Sequence, residues 1–380
     1  MRRALLALSL LGLSLGAQAP LRIGVVNSTT GPQAPIGETI NNGYTLAVED
    51  LAKKGIKVEL VKEDDTGKPQ VALSGFEKLA TRDNVLGVVG AYTSACSSAI
   101  AKKAEMYKLP LVIPVASKEE ITRQGQKYVF RVSATTEDYA SVLLTMALTL
   151  GKPKTMAILN ENTDFGTSGA KSAKLIAGQK GIQVVAEEAY AAGSPDYRST
   201  LAKIKGANPD LVFMVSYVAD GILLMRQARE LGLKPQAFLG AGAGFAQMQF
   251  AQEKEISNLV FSSTQWTPEV NWPGAKDFAT RYRARFGKQE VPYHAANAYA
   301  TLMVMGEAAA KSGGNREGLR NALASGQWDG ILGKIQFKAF EGYTNQNDHV
   351  MLVEQIQNGK HETVWPSAVA VKKPIWPHRW

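Results

Sequence analysis

One cysteine, four histidines and no internal apolar run of membrane-spanning length set the first limits on this chain of 380 residues. Cys96 has no partner, so no internal disulfide can form, and an exported protein of this sequence relies on its core. Cys96 itself reads as a small buried hydrophobe in preference to an accessible thiol. Its place two residues into a helix is the only argument for a lowered pKa. His294, His349, His361 and His378 are scattered, with no metal-ligand spacing and no H-E-x-x-H. A G-x-S-x-G elbow is missing too. The glycines Gly240, Gly242 and Gly244 fall short of a dinucleotide fingerprint, because the third comes one position early and no strand with an acidic end follows. They read instead as room for a ligand or a second lobe to approach. Despite a net charge of +9, no basic run is interleaved with aromatics; cations are spread, as in Lys102–Lys103, Lys203–Lys205 and Arg281–Arg285. Nucleic acid is therefore excluded as an expected partner, and no metal or cofactor is expected.

What is present begins with a leader. Arg2 and Arg3 precede an apolar run from Ala4 to Leu15, and Ala17, Gln18 and Ala19 form an A-x-A cleavage pattern. That is a secretory signal peptide over residues 1–19, with an h-region too short to span a bilayer. Proline is a poor residue after a cut, so Pro20 shifts the expected cleavage by up to a residue or two. No cysteine follows the h-region, so no lipid anchor is expected. The remaining chain, 45% hydrophobic and 20% charged, has ordinary globular composition and a length that suits about two domains.

The stretch Gly90–Ser98, GAYTSACSS, organises the rest. It follows a short β-branched run, VLGVVG, and precedes a helical segment, AIAKKAEMY, so Ser94 sits where a helix leaves the carboxyl end of a buried strand. Such places bind anions, because the first N–H groups of a helix lack partners and its dipole favours negative charge. The plainer reading makes Ser94 an N-cap only. A second strand end of the same kind, LPLVIP followed by Val115, Ala116 and Ser117, favours the anion site.

Strands and helices alternate along the whole first half: LRIGVV, a loop over Thr29–Thr39, a helix from Thr39 to about Lys54, IKVELVKED, and a helix to about Arg82. YVFRVS then precedes TTEDYAS, where Thr135 and Asp138 have capping-box spacing. TMAILN starts a second round of the same rhythm, which ends at LVFSS. Helices near Gly274–Phe286, Pro292–Ser312 and Arg316–Ala324 follow, then strands Lys334–Phe337 and His349–Lys360. The fold class is α/β: two similar doubly wound lobes with mainly parallel sheets, joined by three crossover segments. The expected division is residues 20–136 plus 264–345 for lobe 1 and 137–263 plus 346–380 for lobe 2. The last Pro- and Trp-rich residues are expected to run extended along a surface.

These residues resemble a family. RIGVVNSTTGPQAPIGETINNGYTLAVED, DDTGKPQVA, GAYTSACSS with LPLVIPVAS, NENTDFGTSGA, SPDYRSTLAKIKGANPDLVFMVSY and GYTNQNDHVMLVEQIQNGKHETVWP follow the order and spacing of periplasmic solute-binding proteins of the branched-chain amino acid type. Those proteins serve ABC importers and have the type I periplasmic-binding fold. The resemblance implies a small carboxylate-bearing ligand held by Ser94, Val115 and Ser117 of one lobe, with Phe165 and Tyr217 of the other closing over it. Tyr92 and Trp266 are further candidates. It also implies a membrane permease as partner, a periplasmic location and a monomer.

Two departures matter. Gly242 stands where amino-acid binders of the family carry a glutamate for the ligand's α-ammonium, and Gly67 and Thr93 stand where a disulfide would be. An unpaired cation in a closed cleft costs several kcal/mol. The glycine thus argues for a 2-oxo acid, an aromatic acid or another hydrophobic carboxylate. Against it, Asp138, Asp164 or Asp220 could supply the charge from another direction, which keeps hydrophobic amino acids open. A sensory receptor domain of the same fold and an enzyme acting on small carboxylates are the alternative classes. The first is disfavoured because no transmembrane or signalling segment follows before Trp380, the second because the catalytic parts are missing.

Overall fold

A computed structural model describes residues 19–288 and 290–380; apart from Ala19, the expected signal peptide lies outside them. Strands β1 (Leu21–Asn27), β2 (Val58–Asp64), β3 (Gly87–Gly90), β4 (Leu111–Ile113) and β5 (Val129–Arg131) come first. Then follow β6 (Thr155–Glu161), β7 (Gln183–Tyr190), β8 (Leu211–Val215), β9 (Ala237–Gly240) and β10 (Phe261–Thr264). A small hairpin of β11 (Trp328–Gly330) and β12 (Gly333–Ile335) leads to β13 (Phe337–Phe340), β14 (Tyr343–Asn347), β15 (Leu352–Gln357) and β16 (Lys360–Trp365). Two seven-stranded sheets result, ordered β13-β14-β5-β4-β3-β1-β2 and β16-β15-β10-β9-β8-β6-β7. The chain changes sheet after β5, after β10 and after β14. Pairing is parallel except at β13–β14, β10–β15 and β15–β16 of these sheets.

The apolar runs explain the layering. GVVG of β3 and LVFMV of β8 are buried at every position, because helices cover both faces of a parallel sheet. Helices α1 (Ala34–Lys53), α2 (Pro69–Thr81) and α3 (Ser94–Tyr107) serve the first sheet. In the second, α4 (Thr136–Leu150), α5 (Asp164–Gln179), α6 (Arg198–Ala207) and α7 (Val218–Glu230) do the same. The alanine-rich helix Tyr293–Ala310 returns to the first lobe and packs on α1 so closely that a Cβ on Gly43 would lie 2.3 Å from the Ala295 carbonyl oxygen. Small residues at that seam are therefore a packing requirement. The Thr135/Asp138 capping box forms at the start of α4, satisfying two N–H groups that the helix leaves without internal partners.

Some expected boundaries shift, each for a local reason. α1 begins at Ala34, five residues before the expected start, since proline is tolerated in a helix's first turn and Pro35 sits there. The expected strand His349–Lys360 is a hairpin instead. Asn358 and Gly359 both have positive φ, the conformation that an Asn-Gly turn supplies between β15 and β16. Glu341 and Gly342 make the same kind of turn between β13 and β14, where the sequence reading had only the strand Lys334–Phe337. The C-terminal residues after β16 form no helix or strand, and rings of Trp376, His378 and Trp380 pin them to the second lobe through Phe261 and Phe238.

A partly buried ion pair ties the lobes together. His361 of β16 meets Glu290 of the first lobe at 2.9 Å and reaches the Phe245 carbonyl with its other ring nitrogen. Burial opposes its charge, but the Glu290 hydrogen bond and the charge of Glu354 overcome this and push its pKa up to about 9. Burial likewise raises Glu354 to about 7. A histidine whose folded pKa lies above the unfolded value contributes stability in full below about pH 6.5 and loses it as pH rises through the folded pKa. Glu354, which takes up a proton more readily folded than unfolded, adds stability in the same direction that is lost as pH rises through about 7. The melting temperature is therefore expected to fall by several degrees between pH 6.5 and 9. In His361→Gln it should start lower and fall less, which a pH series of thermal melts checks.

Candidate ligand-binding cleft

In the first lobe, parallel pairing of β3 with β4 sets two strand ends side by side. From β3 the chain runs through Tyr92 into α3. Thr93 rather than Ser94 is the N-cap: its hydroxyl accepts the Cys96 N–H at 3.2 Å. Ser94 is the first helical residue, 2% exposed, and its hydroxyl oxygen accepts the Lys118 N–H at 3.4 Å. That bond brings the second strand end, Val115 to Lys118, against the first. Ser117 is buried there, its carbonyl accepting the Thr136 N–H, and Val115 belongs to the first lobe's core. Cys96 lies just beneath. Burial and the nearby Asp65 carboxylate push its thiol up to about 12, overriding any helix-terminus effect, so it is no thiolate at neutral pH.

In the second lobe, Phe165 occupies the first turn of α5 and Tyr217 is the N-cap residue of α7. Their rings lie 5.4 Å apart, and Tyr217 also meets Tyr92 of the first lobe at 5.7 Å. The Ser94 N–H interacts with the Tyr217 hydroxyl across the gap. Lys118 and Asp164 add an ion pair at 2.7 Å between the same lobes. Tyr92, Ser94, Phe165 and Tyr217 are thus one cluster, with Ser117 adjoining through the Lys118 bond.

Two expected residues sit differently. Gly242 has φ +59°, and a Cβ there would lie 3.3 Å from the Tyr293 hydroxyl of the opposite lobe, which also accepts the Ala243 N–H. The glycine leaves room for that lobe. Trp266, expected at the cleft, packs edge-on against Phe278 in the first lobe's core, 5.7 Å between centroids, because the chain at the second crossing turns inward before its helices. Gly67 and Thr93, the missing cysteine positions, line the cavity described next. Asp65 holds the loop there by accepting the Ser28 hydroxyl and the Gly67 N–H.

A cavity of about 330 Å³ lies between the lobes, at the small end of the range for ligand sites. Gln33, Lys68 and Thr93 line it from the first lobe; Glu161, Tyr217 and Asp220 line it from the second. Glu161 was not singled out in the sequence. Its signal is its place at the carboxyl end of β6, in NENTD, where crevice residues are found. Of the three carboxylates that were, Asp138 is occupied by its capping box and Asp164 by Lys118. Asp220 accepts the Tyr197 hydroxyl and the Gly193 N–H. Among the described residues no group of three or more His, Cys, Asp or Glu is arranged to hold a metal ion. No helix among them is long and apolar enough to cross a membrane.

This geometry has close parallels. A family model described as periplasmic binding protein matches residues 20–360. The chain is 28% identical to Leu/Ile/Val-binding protein homolog 7 of Brucella melitensis, over 98% of this chain and 99% of that one. It is 25% identical to the branched-chain amino acid transporter substrate-binding protein LivJ of Streptococcus pneumoniae, solved in complex with isoleucine. That alignment covers 92% of this chain and 100% of that one, with a TM-score of 0.81. A solute-binding protein of an R. palustris ABC transporter, solved with benzoate, covers 94% of this chain and 99% of that one. Its TM-score is 0.82, and at 19% identity it speaks to the fold alone.

Proposed function

We propose, since the chain belongs to the periplasmic binding protein family, that it captures a small carboxylate-bearing ligand between its lobes and presents it to the permease of an ABC importer. The observation that carries this reading is the cluster across the gap: Tyr217 of one lobe against Tyr92 and the Ser94 N–H of the other. A ligand carboxylate at the start of α3 gains the hydroxyls of Ser94 and Ser117 and the positive end of a 14-residue helix. Phe165 and Tyr217 then cover its apolar part. Binding favours the closed arrangement by as much as the ligand's affinity differs between the open and closed forms. Ligand capture in the periplasm without turnover is the function this supports.

A thermal-shift screen of amino acids, 2-oxo acids and aromatic acids tests it, because a ligand at 100 times its Kd stabilises by about 2.7 kcal/mol. At least one carboxylate should raise the melting temperature; none doing so would refute the reading. Ser94→Ala should weaken that ligand by roughly 1–3 kcal/mol, the cost of losing a buried hydroxyl against a charge. Titration calorimetry on the variant checks this, and an unchanged Kd removes Ser94 from the site.

A further inference from the structure

We propose that residues 290–294 form a latch between the lobes, held shut by the cation on His361, so that pH sets how readily the cleft opens. The latch acts on the site of the capture reading and rests on it for the parting and closing of the lobes.

Residues 290–294 lead into the helix Tyr293–Ala310, which packs along α1 and so travels with the first lobe. Three of them reach the second lobe. The Glu290 carboxylate meets the His361 ring at 2.9 Å and accepts the His361 backbone N–H at 3.3 Å. The Tyr293 hydroxyl accepts the Ala243 N–H at 3.3 Å and lies 3.4 Å from the Tyr139 hydroxyl. His294 Nδ1 lies 2.9 Å from the side-chain nitrogen of Gln247. Each of these contacts joins one lobe to the other, so each must give way as the cleft widens. Two of the three are neutral: burial holds the His294 ring down to about 3 and the Tyr293 phenol far above its usual range. The charged contact is Glu290 with His361.

Charges face that contact from every element around it. Glu354 of β15 acts on the His361 ring, and the Phe245 carbonyl meets the ring's second nitrogen. Glu269, just after β10, takes the Thr363 hydroxyl and acts on Glu354. Arg283 of the helix Ala275–Phe286 lines the same cavity, of about 90 Å³, and Lys360 acts on Glu290. Protonated, His361 offsets carboxylates on both sides of the seam. Neutral, it leaves Glu354 of the second lobe facing Glu269 and Glu290 of the first beside Arg283 and Lys360, and like charges then favour parting.

The sign follows from linkage. His361 is held at about 9 with the latch shut, and a histidine freed into water returns to about 6.5. Closing therefore takes up a proton between those values, and the closed-to-open ratio falls about 50-fold from pH 7 to 9.5. Glu354, at about 7, adds in the same direction. The test needs no ligand. Small-angle scattering is recorded at pH 7 and 9.5 on protein stripped of retained molecules by unfolding and refolding, with circular dichroism to verify that it stays native. Expected is a larger radius of gyration at pH 9.5 that reverses on return to pH 7. His361→Gln and Glu290→Gln, one from each lobe, should scatter as the expanded form already at pH 7 and change little by 9.5. An imidazole C2–H resonance of the wild type should titrate with the same midpoint as the scattering step, which decides the matter even where both variants fail to fold. A wild-type profile that does not move with pH, variants that keep the step, or two midpoints more than a pH unit apart would overturn the latch. Carboxylate capture would stand in each case, and a failed ligand screen would leave the scattering result untouched.

Discussion

Replacing Tyr217 with alanine is expected to weaken ligand binding by roughly 100-fold, the scale of an aromatic hot spot at the centre of an interface. Tyr217 touches both lobes: its ring meets Phe165 at 5.4 Å and Tyr92 at 5.7 Å, and its hydroxyl interacts with the Ser94 N–H. Each aromatic pair contributes about 0.5–1.5 kcal/mol beyond the apolar area it buries, and alanine removes both. As the N-cap residue of α7 it makes no side-chain capping bond, so the helix loses none in the variant. The unliganded protein should melt a few degrees lower, through the lost ring contacts, while the ligand-induced rise in melting temperature nearly disappears. Tyr217→Phe keeps the rings and should lose only about fivefold. Titration calorimetry on the two variants separates ring from hydroxyl. Equal losses in both would assign the effect to the hydroxyl alone, and no loss in either would remove Tyr217 from the site.

Arg131→Met is expected to cost about 3–5 kcal/mol of stability, the penalty for breaking a buried charged network by removing one side. Arg131 ends β5, the last strand before the first crossing, and is fully buried. Its guanidinium donates to the Gln346 side chain at 2.6 Å, to the Lys118 carbonyl at 2.5 Å and to the Thr122 hydroxyl at 2.8 Å. It lies near the Tyr343 ring and balances the charges of Glu119 and Asp138. Methionine matches its stem but leaves those acceptors without a donor. Gln346 sits on β14 just before the third crossing and Lys118 beside Ser94, so the same change loosens the strand ends that hold the ligand. Chemical denaturation should show the loss, with a Kd weakened as well. A loss under 1 kcal/mol would mean that water or a neighbour replaces the guanidinium.

Much of this arrangement is legible before any coordinates. β-branched runs such as VLGVVG suit buried strands, and the serines after two of them fall at neighbouring ends of one parallel sheet. Tyr217 and Phe165 come from the family resemblance, and the ring cluster is where they meet. Other features depend on distances along the fold that no local pattern encodes. Glu161 lies in a polar run, NENTD, that looks like an ordinary turn; its burial arises only when β8, β7 and the opposite lobe surround it. Trp266 follows a strand that ends at the cleft, yet its ring packs inward on Phe278, a residue of the next helix. The hairpins at Asn358-Gly359 and Glu341-Gly342 are readable from their glycines, but the polar strands that follow them, KHETVW and YTNQN, carry little strand signal of their own.

The most direct measurement is a crystal structure of the protein carrying the molecule it retains on purification. Density for one small carboxylate between Ser94 and Ser117 on one side and Phe165 and Tyr217 on the other, with the two sheets drawn together, is the predicted result. A molecule seated elsewhere, such as beside Trp328 on the outer face of the first lobe, with the serines and rings apart, would contradict it.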